Sequence, residues 1–468
     1  MHIINKLTLD IACTTEVQAL ELRRNFSQSK QNEISEVIEK VCSKYVGDDE
    51  WIKLDRIEVD LGTFDIHNFE RIFTKLFLEK FDRLVAKKVQ AVPADKKEIS
   101  KQSTFFESFI HFLEHGSLPW WMPSEKFEIH SVAEEILQNQ QKEFIAFLIA
   151  HKERPIVWKR IGFQLKPSIQ HRIIAFFGEL ALAKRTIIHW FSSTPKEEKT
   201  TAQTLPVDEV EMFAQQIILQ NAPIFFRFKL EENAMNESGK TTLRKVWEHA
   251  MTNGLNPTQT MDTIMQTIKK EINTDQSFTS ESKPDRIAAQ LFKGPETAET
   301  DQPEKWLVKQ AGIVLLAPYF SRFFTALGLW QGNDWKDRWA HYKAIYLLGY
   351  LSTGETSLPE HNLALEKLLC GMEMAAPIPA NIELMPEELA EADDLLQSVI
   401  DNWKALKNTS KNGLRQTFLQ REGIVSKKEN GWLIQVERKT PDVLLESIPW
   451  GYSTFSASWS DDILFIEW

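Results

Sequence analysis

Apolar and polar positions change period several times along the 468 residues of this chain. Residues 3–11, IINKLTLDI, alternate and place Ile3, Leu7, Leu9 and Ile11 on one face, the period of an extended strand. From 33 to 46 the spacing becomes three and four, with Ile34, Val37, Ile38, Val41 and Tyr45 on one side, which predicts an amphipathic helix stopped at Gly47. WIKLDRIEVDLGTF returns to alternation, but Ile52 and Leu54 are out of phase with Ile57, Val59 and Leu61. One extra residue near Asp55–Arg56 reconciles the halves and predicts a β-bulge there. A second helix follows from about 67 to 90, where Phe69, Ile72, Phe73, Leu76, Phe77, Phe81, Leu84 and Val85 form the stripe. Residues 1–91 therefore read as a compact β-α-β-α module.

VPADKKEISKQS, residues 92–103, reads as a linker. Residues 104–270 form a helical middle region broken at Pro119, Pro123, Pro155, Pro167, Pro195, Pro206 and Pro223, so it is several short helices and not one rod. Residues 271–304 are polar, carry Pro284, Pro295 and Pro303, and read as a flexible boundary. A second helical region spans 305–425. Within it the acidic PEELAEADDLLQSVIDNW adjoins the basic KALKNTSKNGLRQTFLQR, which suggests two solvated helix faces paired across a turn. Residues 426–468 form a C-terminal β-containing module. GWLIQVERK alternates Trp432, Ile434 and Val436, DVLLESI is a helical turn, and ILFIEW closes the chain as a strand that must be docked. The expected fold class is α+β, predominantly α-helical, with short strands near both ends.

Composition changes this picture little. Hydrophobic residues make up 43% and charged residues 26%, as in ordinary globular proteins, and the length allows several domains. A net charge of −11 argues against a nucleic-acid partner. Cys13, Cys42 and Cys370 are far apart, so neither a disulfide framework nor a cysteine zinc site follows, and a reducing compartment fits. The N-terminus lacks a basic flank followed by an apolar run, so it is not read as a secretory signal. No integral membrane segment is expected, because the most apolar stretch, GIVLLAPYFSRFFTALGLW at 312–330, holds Pro318 and a central Arg322 and reads as buried core. Fifteen tryptophans are many and make partner contacts plausible.

Candidate chemistry is thin. His111, Glu114 and His115 in HFLEHGSLPWW spell H-x-x-E-H, a spacing of zinc peptidases in which two histidines one turn apart hold the metal and the glutamate acts on a bound water. A catalytic zinc needs a third protein ligand, and nothing downstream offers one clearly. Phe105, Phe109, Phe112 and Leu113 surround the histidines and Gly116 stops the helix, so an amphipathic helix with two histidines on its polar edge is the preferred reading. AMNESGKT, 234–241, resembles the end of a phosphate-binding loop, but Ala234 stands where glycine is favoured and Glu231, Glu232 and Glu237 crowd the place of the phosphates, so a polar turn is preferred. Asp55, Glu58 and Asp60 read as the solvent side of a half-buried strand. No enzyme, cofactor or metal site is expected.

What remains unusual are stretches that no single element requires: MHIINKLTLDI, IKLDRIEVDLGTF, HFLEHGSLPWW, GIVLLAPYFSRFFTALGL, LLGYLSTGETSLPEHNLALEKLLCG, NWKALKNTSKNGLRQTFLQREG, GWLIQVERKTPDVLLESIPWG and the final FIEW. In that order the chain resembles the contractile injection system tape measure proteins, components of phage-tail-like machines. The resemblance covers about the first ninety residues, the LPWW element and nearly everything from about 305 onward, and covers 125–300 weakly. It implies a structural role in tube assembly or tube length control, with docking modules at both ends and a variable spacer between. The partners it implies are inner tube, baseplate hub or cap subunits, with self-association compatible, assembly in the cytoplasm and a place in the finished particle. A baseplate or cap adaptor and an effector-loading chaperone are the alternatives, and a zinc hydrolase using His111, Glu114 and His115 is the remote one. Trp120, Trp121, Trp432, Trp450 and Trp468 are the candidate partner-binding residues, each weighed against an ordinary core role.

Overall fold

The computed structural model describes residues 7–13, 15–16, 20, 28–45, 56–63, 69–90, 94–192, 207–227, 305–380 and 382–468. They group into two units, residues 1–108 with 119–123, and residues 109–118 with 124–468.

In the first unit, α1 (Gln28–Tyr45) and α2 (Phe69–Gln90) form the two helices that the spacing predicts. Ile34, Val37, Ile38 and Val41 of α1 share one core with Phe73, Phe77, Phe81, Val85 and Val89 of α2, residues that recur at three- and four-residue intervals because that is the buried stripe. Lys44 pairs with Asp82 at 2.9 Å and Thr74 donates to Glu33 at 2.8 Å, which fixes the register of the two helices.

Residues 56–63 are extended. Ile57, Val59 and Leu61 are half-buried against the helix pair while Arg56, Glu58 and Asp60 are exposed, the alternation read from the sequence. No ladder is formed by the described residues 7–13 or 56–63, which differs from the strands expected there. Lys88 and Lys80 of α2 donate to the carbonyls of Arg56 and Asp60 at 2.5 and 2.7 Å, so lysine ammonium groups meet backbone acceptors that a neighbouring strand would otherwise satisfy. A period of two reports one-sided burial, and a helix pair provides that side as well as a sheet does. The bulge depends on Ile52, Leu54 and Asp55, which lie outside the described residues, as do the polar boundary at 271–304 and the 234–241 stretch. Residues 94–103, read as linker, belong to helix α3 (Ala94–His115). Charged composition is compatible with a helix as well as with a loop, which is why composition misled.

The helical part of the second unit comprises the end of α3, then α4 (Ile129–Asn139), α5 (Gln141–Ala150), α6 (Pro155–Gln164), α7 (Pro167–Ala175), α8 (Gly178–Ser192), α9 (Val207–Gln220) and α10 (Ala222–Arg227). Pro155 and Pro167 open α6 and α7 at a position where the missing N–H costs nothing. Phe109, Phe112, Phe147, Trp158 and Ile217 are fully covered and mark the centre of this layer.

From 305 onward a five-stranded sheet forms. Its strands are β1 (Lys305–Val308), β4 (Gly423–Lys428), β5 (Gly431–Val436), β6 (Thr454–Phe455) and β7 (Leu464–Glu467), while β2 (Trp330–Gln331) and β3 (Asp334–Trp335) pair separately. The spatial order is β1-β4-β5-β7-β6, antiparallel except for the parallel pair β5 and β7. Trp432, Ile434 and Val436 face inward, and the closing strand β7 is docked through Leu464 and Ile466. The apolar stretch 312–330 is a 3-10 segment, Ala311–Tyr319, running into α11 (Phe320–Ala326), and Ile313 to Leu316 are buried. A Cβ on Gly312 would lie 1.7 Å from the Phe418 carbonyl, so backbone packs on backbone here. Helices α12 (Arg338–Thr353), α13 (Ala364–Leu369) and α14 (Pro386–Asn402) complete the core. The acidic and basic runs do meet: Asp393 of α14 takes Arg415 at 3.1 Å and Lys411 at 3.5 Å. Among the described residues no helix is long and apolar enough to cross a membrane.

Candidate functional site

The H-x-x-E-H spacing ends α3, and each of its side chains has its own local geometry. The His111 Nδ1 lies 2.9 Å from the Ser117 carbonyl, an acceptor, so this nitrogen carries the proton. Burial, helped by the neighbouring His115, lowers the His111 pKa to about 4, and the ring is neutral at ordinary pH. Glu114 turns instead to His151, whose Nε2 is 2.9 Å away, and to Arg154 at 3.5 Å. Burial pushes the Glu114 carboxyl up, but the His151 bond and the nearby positive groups outweigh it and leave it below its ordinary value. The His111 and His115 rings are 4.6 Å apart. Among the described residues no group of three or more histidine, cysteine or acidic side chains is placed to hold a metal ion.

Gly116, directly after these residues, has a different importance. Its φ of 71° closes α3 in the left-handed conformation, with its N–H on the Phe112 carbonyl at 2.8 Å. A Cβ there would meet Arg160 Nη2 and Glu360 Oε1, both at 2.7 Å. Glycine thus lets the chain pass over a buried ionic centre. Arg160 of α6 and Glu360 are wholly buried and 3.1 Å apart, and Lys367 of α13, equally buried, donates to the same Glu360 oxygen at 2.7 Å. Arg160 also donates to the carbonyls of Leu113 and Ala375, and Lys367 to that of Met374. Both cations reach several acceptors, as charges removed from water require.

Beside them Glu366 is fully buried, and neither of its oxygens has a hydrogen-bond partner. Desolvation raises its pKa to about 8, so it is mostly protonated and uncharged at neutral pH. Desolvation also lowers the Lys367 pKa to about 8, against the pull of Glu360. This centre joins two of the unusual stretches, HFLEHG and SLPEHNLALEKLLCG. Sequence reasoning missed it. The available signal was charge inside apolar runs, Glu366 and Lys367 in LALEKLLC and Arg160 in PIVWKRIGF, where a solvated face has no room.

The five tryptophans fall into different settings. Trp120 is 40% exposed and Trp121 half-buried, both in the first unit. Trp432 is buried on the inner sheet face, with its indole N–H on Asp462 at 3.1 Å. Trp450 donates to the Leu315 carbonyl at 3.0 Å and Trp468 to Asp442 at 3.0 Å. Asp442 also holds the buried Arg421 at 2.7 Å, so the last residue is tied to an internal ion pair. Trp450 and Trp468 are brought together: with Tyr452, Ile466, Arg438 and Glu467 they line a hollow of about 550 Å³. The outward side of the sheet exposes Leu307 and Phe465.

The described residues thus make a mainly helical α+β fold with a small sheet near the C-terminus and buried ion pairs in its interior. The chain belongs to the contractile injection system tape measure protein family, whose model matches residues 1–468. Searches of curated proteins and of solved structures return no match to it. Its role is accordingly a tape-measure-type structural one within such a machine, and the family is not a family of enzymes.

Proposed function

We propose that the protein acts in tube assembly or tube length control by docking at both ends, through residues 1–91 with the LPWW element and through residues 426–468. The observation that carries this reading is the hollow in which Trp450 and Trp468 converge with Tyr452 and Arg438. Aromatic rings with a polar tip, set around a concavity beside an arginine, are the usual anchors of protein interfaces. Trp120 supplies an exposed ring in the other unit. Inner tube, baseplate hub or cap subunits are the partners this docking would serve, with assembly in the cytoplasm and retention in the particle.

A second reading, a compact adaptor at baseplate or cap, is favoured by a separate observation. Helix α6 is bound to the 375–380 segment through Arg160, through Gln164 Nε2 on the Ile378 carbonyl at 2.6 Å, and through Ala380 N–H on the Phe163 carbonyl at 3.2 Å. Unfurling residues 109–227 as a ruler would break this buried centre. Shortening residues 231–300 tests the ruler directly. Removing sixty of them should shorten tubes by about 90 Å if they act as helix and about 200 Å if extended. Electron microscopy of assembled particles measures this. Unchanged tube length would retire the ruler and leave the adaptor, while co-purification with effectors in place of tube or baseplate subunits would favour the effector-loading chaperone.

A further inference from the structure

The helical layer, made of the end of α3 with α4 to α10, and residues 305–468 each carry apolar packing of their own. In the layer Phe109 meets Phe144 with ring centres 5.6 Å apart, and Trp158 meets Phe177 and Phe226 at 5.5 and 5.1 Å. The core of the C-terminal part is drawn from residues 306–468, with no member from the helical layer among the described residues. The bonds that cross between the two are polar. Arg160 meets Glu360 at 3.1 Å, Gln164 Nε2 donates to the Ile378 carbonyl at 2.6 Å, the Ala380 N–H donates to the Phe163 carbonyl at 3.2 Å, and Lys309 pairs with Glu125. Ring contacts accompany them: His361 lies edge-on to Phe112 and Phe127, with centres 6.0 and 5.7 Å apart, and Phe163 meets Tyr342 at 6.4 Å.

Charge is unevenly matched along this seam. Arg160 and Lys367 both donate to Oε1 of Glu360, while its Oε2 and both oxygens of Glu366 have no hydrogen-bond partner. Carboxyl oxygens out of water and unmatched are costly, and water entering the seam would match them. A buried charge triad also stabilises less than apolar side chains of the same volume. The closed arrangement therefore gives up free energy where the two parts meet, and each part keeps its own packing when they separate. We propose that the helical layer moves off the C-terminal core as a folded unit, opening along the Arg160–Glu360–Lys367 seam at a smaller cost than unfolding either part. This opening differs from unfurling, since α4 to α10 stay helical, and it does not depend on what docks at the tryptophans.

The test is native-state hydrogen exchange of the full chain in low urea, read amide by amide by NMR. The Ala380 N–H reports the seam, because its acceptor lies across it. Ile217, buried in α9, reports the layer, and Ala311, whose N–H is held by the Arg421 carbonyl, reports the C-terminal core. Ala380 should exchange at least about 100-fold faster than Ile217 and Ala311. Its urea slope should be smaller than theirs but not zero, as exposure of one seam requires. The apolar variant Arg160→Met/Glu360→Leu/Lys367→Met should slow Ala380 exchange at least about tenfold. Exchange of Ala380 at the rate and slope of the other two would overturn the proposal, since the parts would then open only by unfolding. A zero urea slope would overturn it as well, by confining the motion to the 375–380 segment. So would unchanged or faster Ala380 exchange in a folded apolar variant, and if that variant does not fold, the parental urea slope decides alone.

Discussion

The residue that most shapes the chemistry of this interior is Glu366, a carboxyl buried without partners beside Lys367. In the fold it holds its proton up to about pH 8, whereas an unhindered carboxyl releases it near 4.5. Between those values the unfolded chain binds fewer protons than the folded one. The stabilisation is complete below 4.5 and is lost as pH rises through 8, at up to about 1.4 kcal/mol per pH unit. Lys367 acts in the opposite sense. Its folded pKa of about 8 lies below the 10.5 of a free lysine, so the unfolded chain binds more protons from 8 to 10.5 and stability recovers over that range. Urea unfolding from pH 5 to 10 should therefore pass through a minimum near pH 8. Glu366→Gln, which cannot ionise, should flatten the acid limb and keep the alkaline rise. A variant with the parental slope between pH 5 and 8 would show that Glu366 is not the group responsible. At this scale the sequence was readable only as an oddity, since the register of LALEKLLC announces two charges among apolar neighbours and says nothing of Arg160, some two hundred positions away.

At the scale of elements, the sequence was read well wherever burial is one-sided and local. The stripes of α1 and α2 and the inward face of β5 follow from period, and the docking of β7 from how apolar its segment is. Pairing was not readable. Residues 56–63 keep their alternation without a ladder, and the parallel match of β5 with β7 joins segments whose order no local pattern fixes. Charged composition likewise hid the first turns of α3. Gly116 shows the same division. Its role as the stop of α3 is legible, while its closeness to Arg160 and Glu360 is a tertiary fact. Gly116→Ala must strain a left-handed φ and push the two charges apart, so a loss of about 2–4 kcal/mol is expected in denaturant unfolding. At Gly178, the start of α8, an added Cβ would meet nothing within 4 Å, and Gly178→Ala should be neutral or stabilising by up to about 1 kcal/mol. A loss of only about 1 kcal/mol at Gly116 would reduce it to an ordinary left-handed helix stop.

For the molecule as a whole, the tryptophans decide whether the aromatic surplus serves the core or the machine. Of the five candidates, Trp432 has the clearest internal role, buried on the sheet with its N–H engaged, and the period of two places it on an inward face. Trp450 and Trp468 do both: each indole N–H is bound inside while the rings line an open hollow. That duality could not be read from sequence, because it depends on residues 438, 450 and 468 converging. Alanine at Trp450 should therefore cost about 2–4 kcal/mol and confound folding with docking. Two cleaner probes exist. Trp120→Ala, at a 40% exposed ring, and Arg438→Glu, at an exposed arginine of the hollow, should each change stability by less than about 0.5 kcal/mol. If the ends dock, both should lower the yield of assembled particles without altering the unfolding midpoint, and Arg438→Glu should do so by reversing charge at the partner's contact. Trp403→Ala, at a wholly buried ring that donates to the Leu444 carbonyl, provides the opposite pattern, with stability and assembly falling together. Should the yield follow the unfolding midpoint across all of these variants, assembly would require only an intact fold, and the two ends would lose their claim as docking modules.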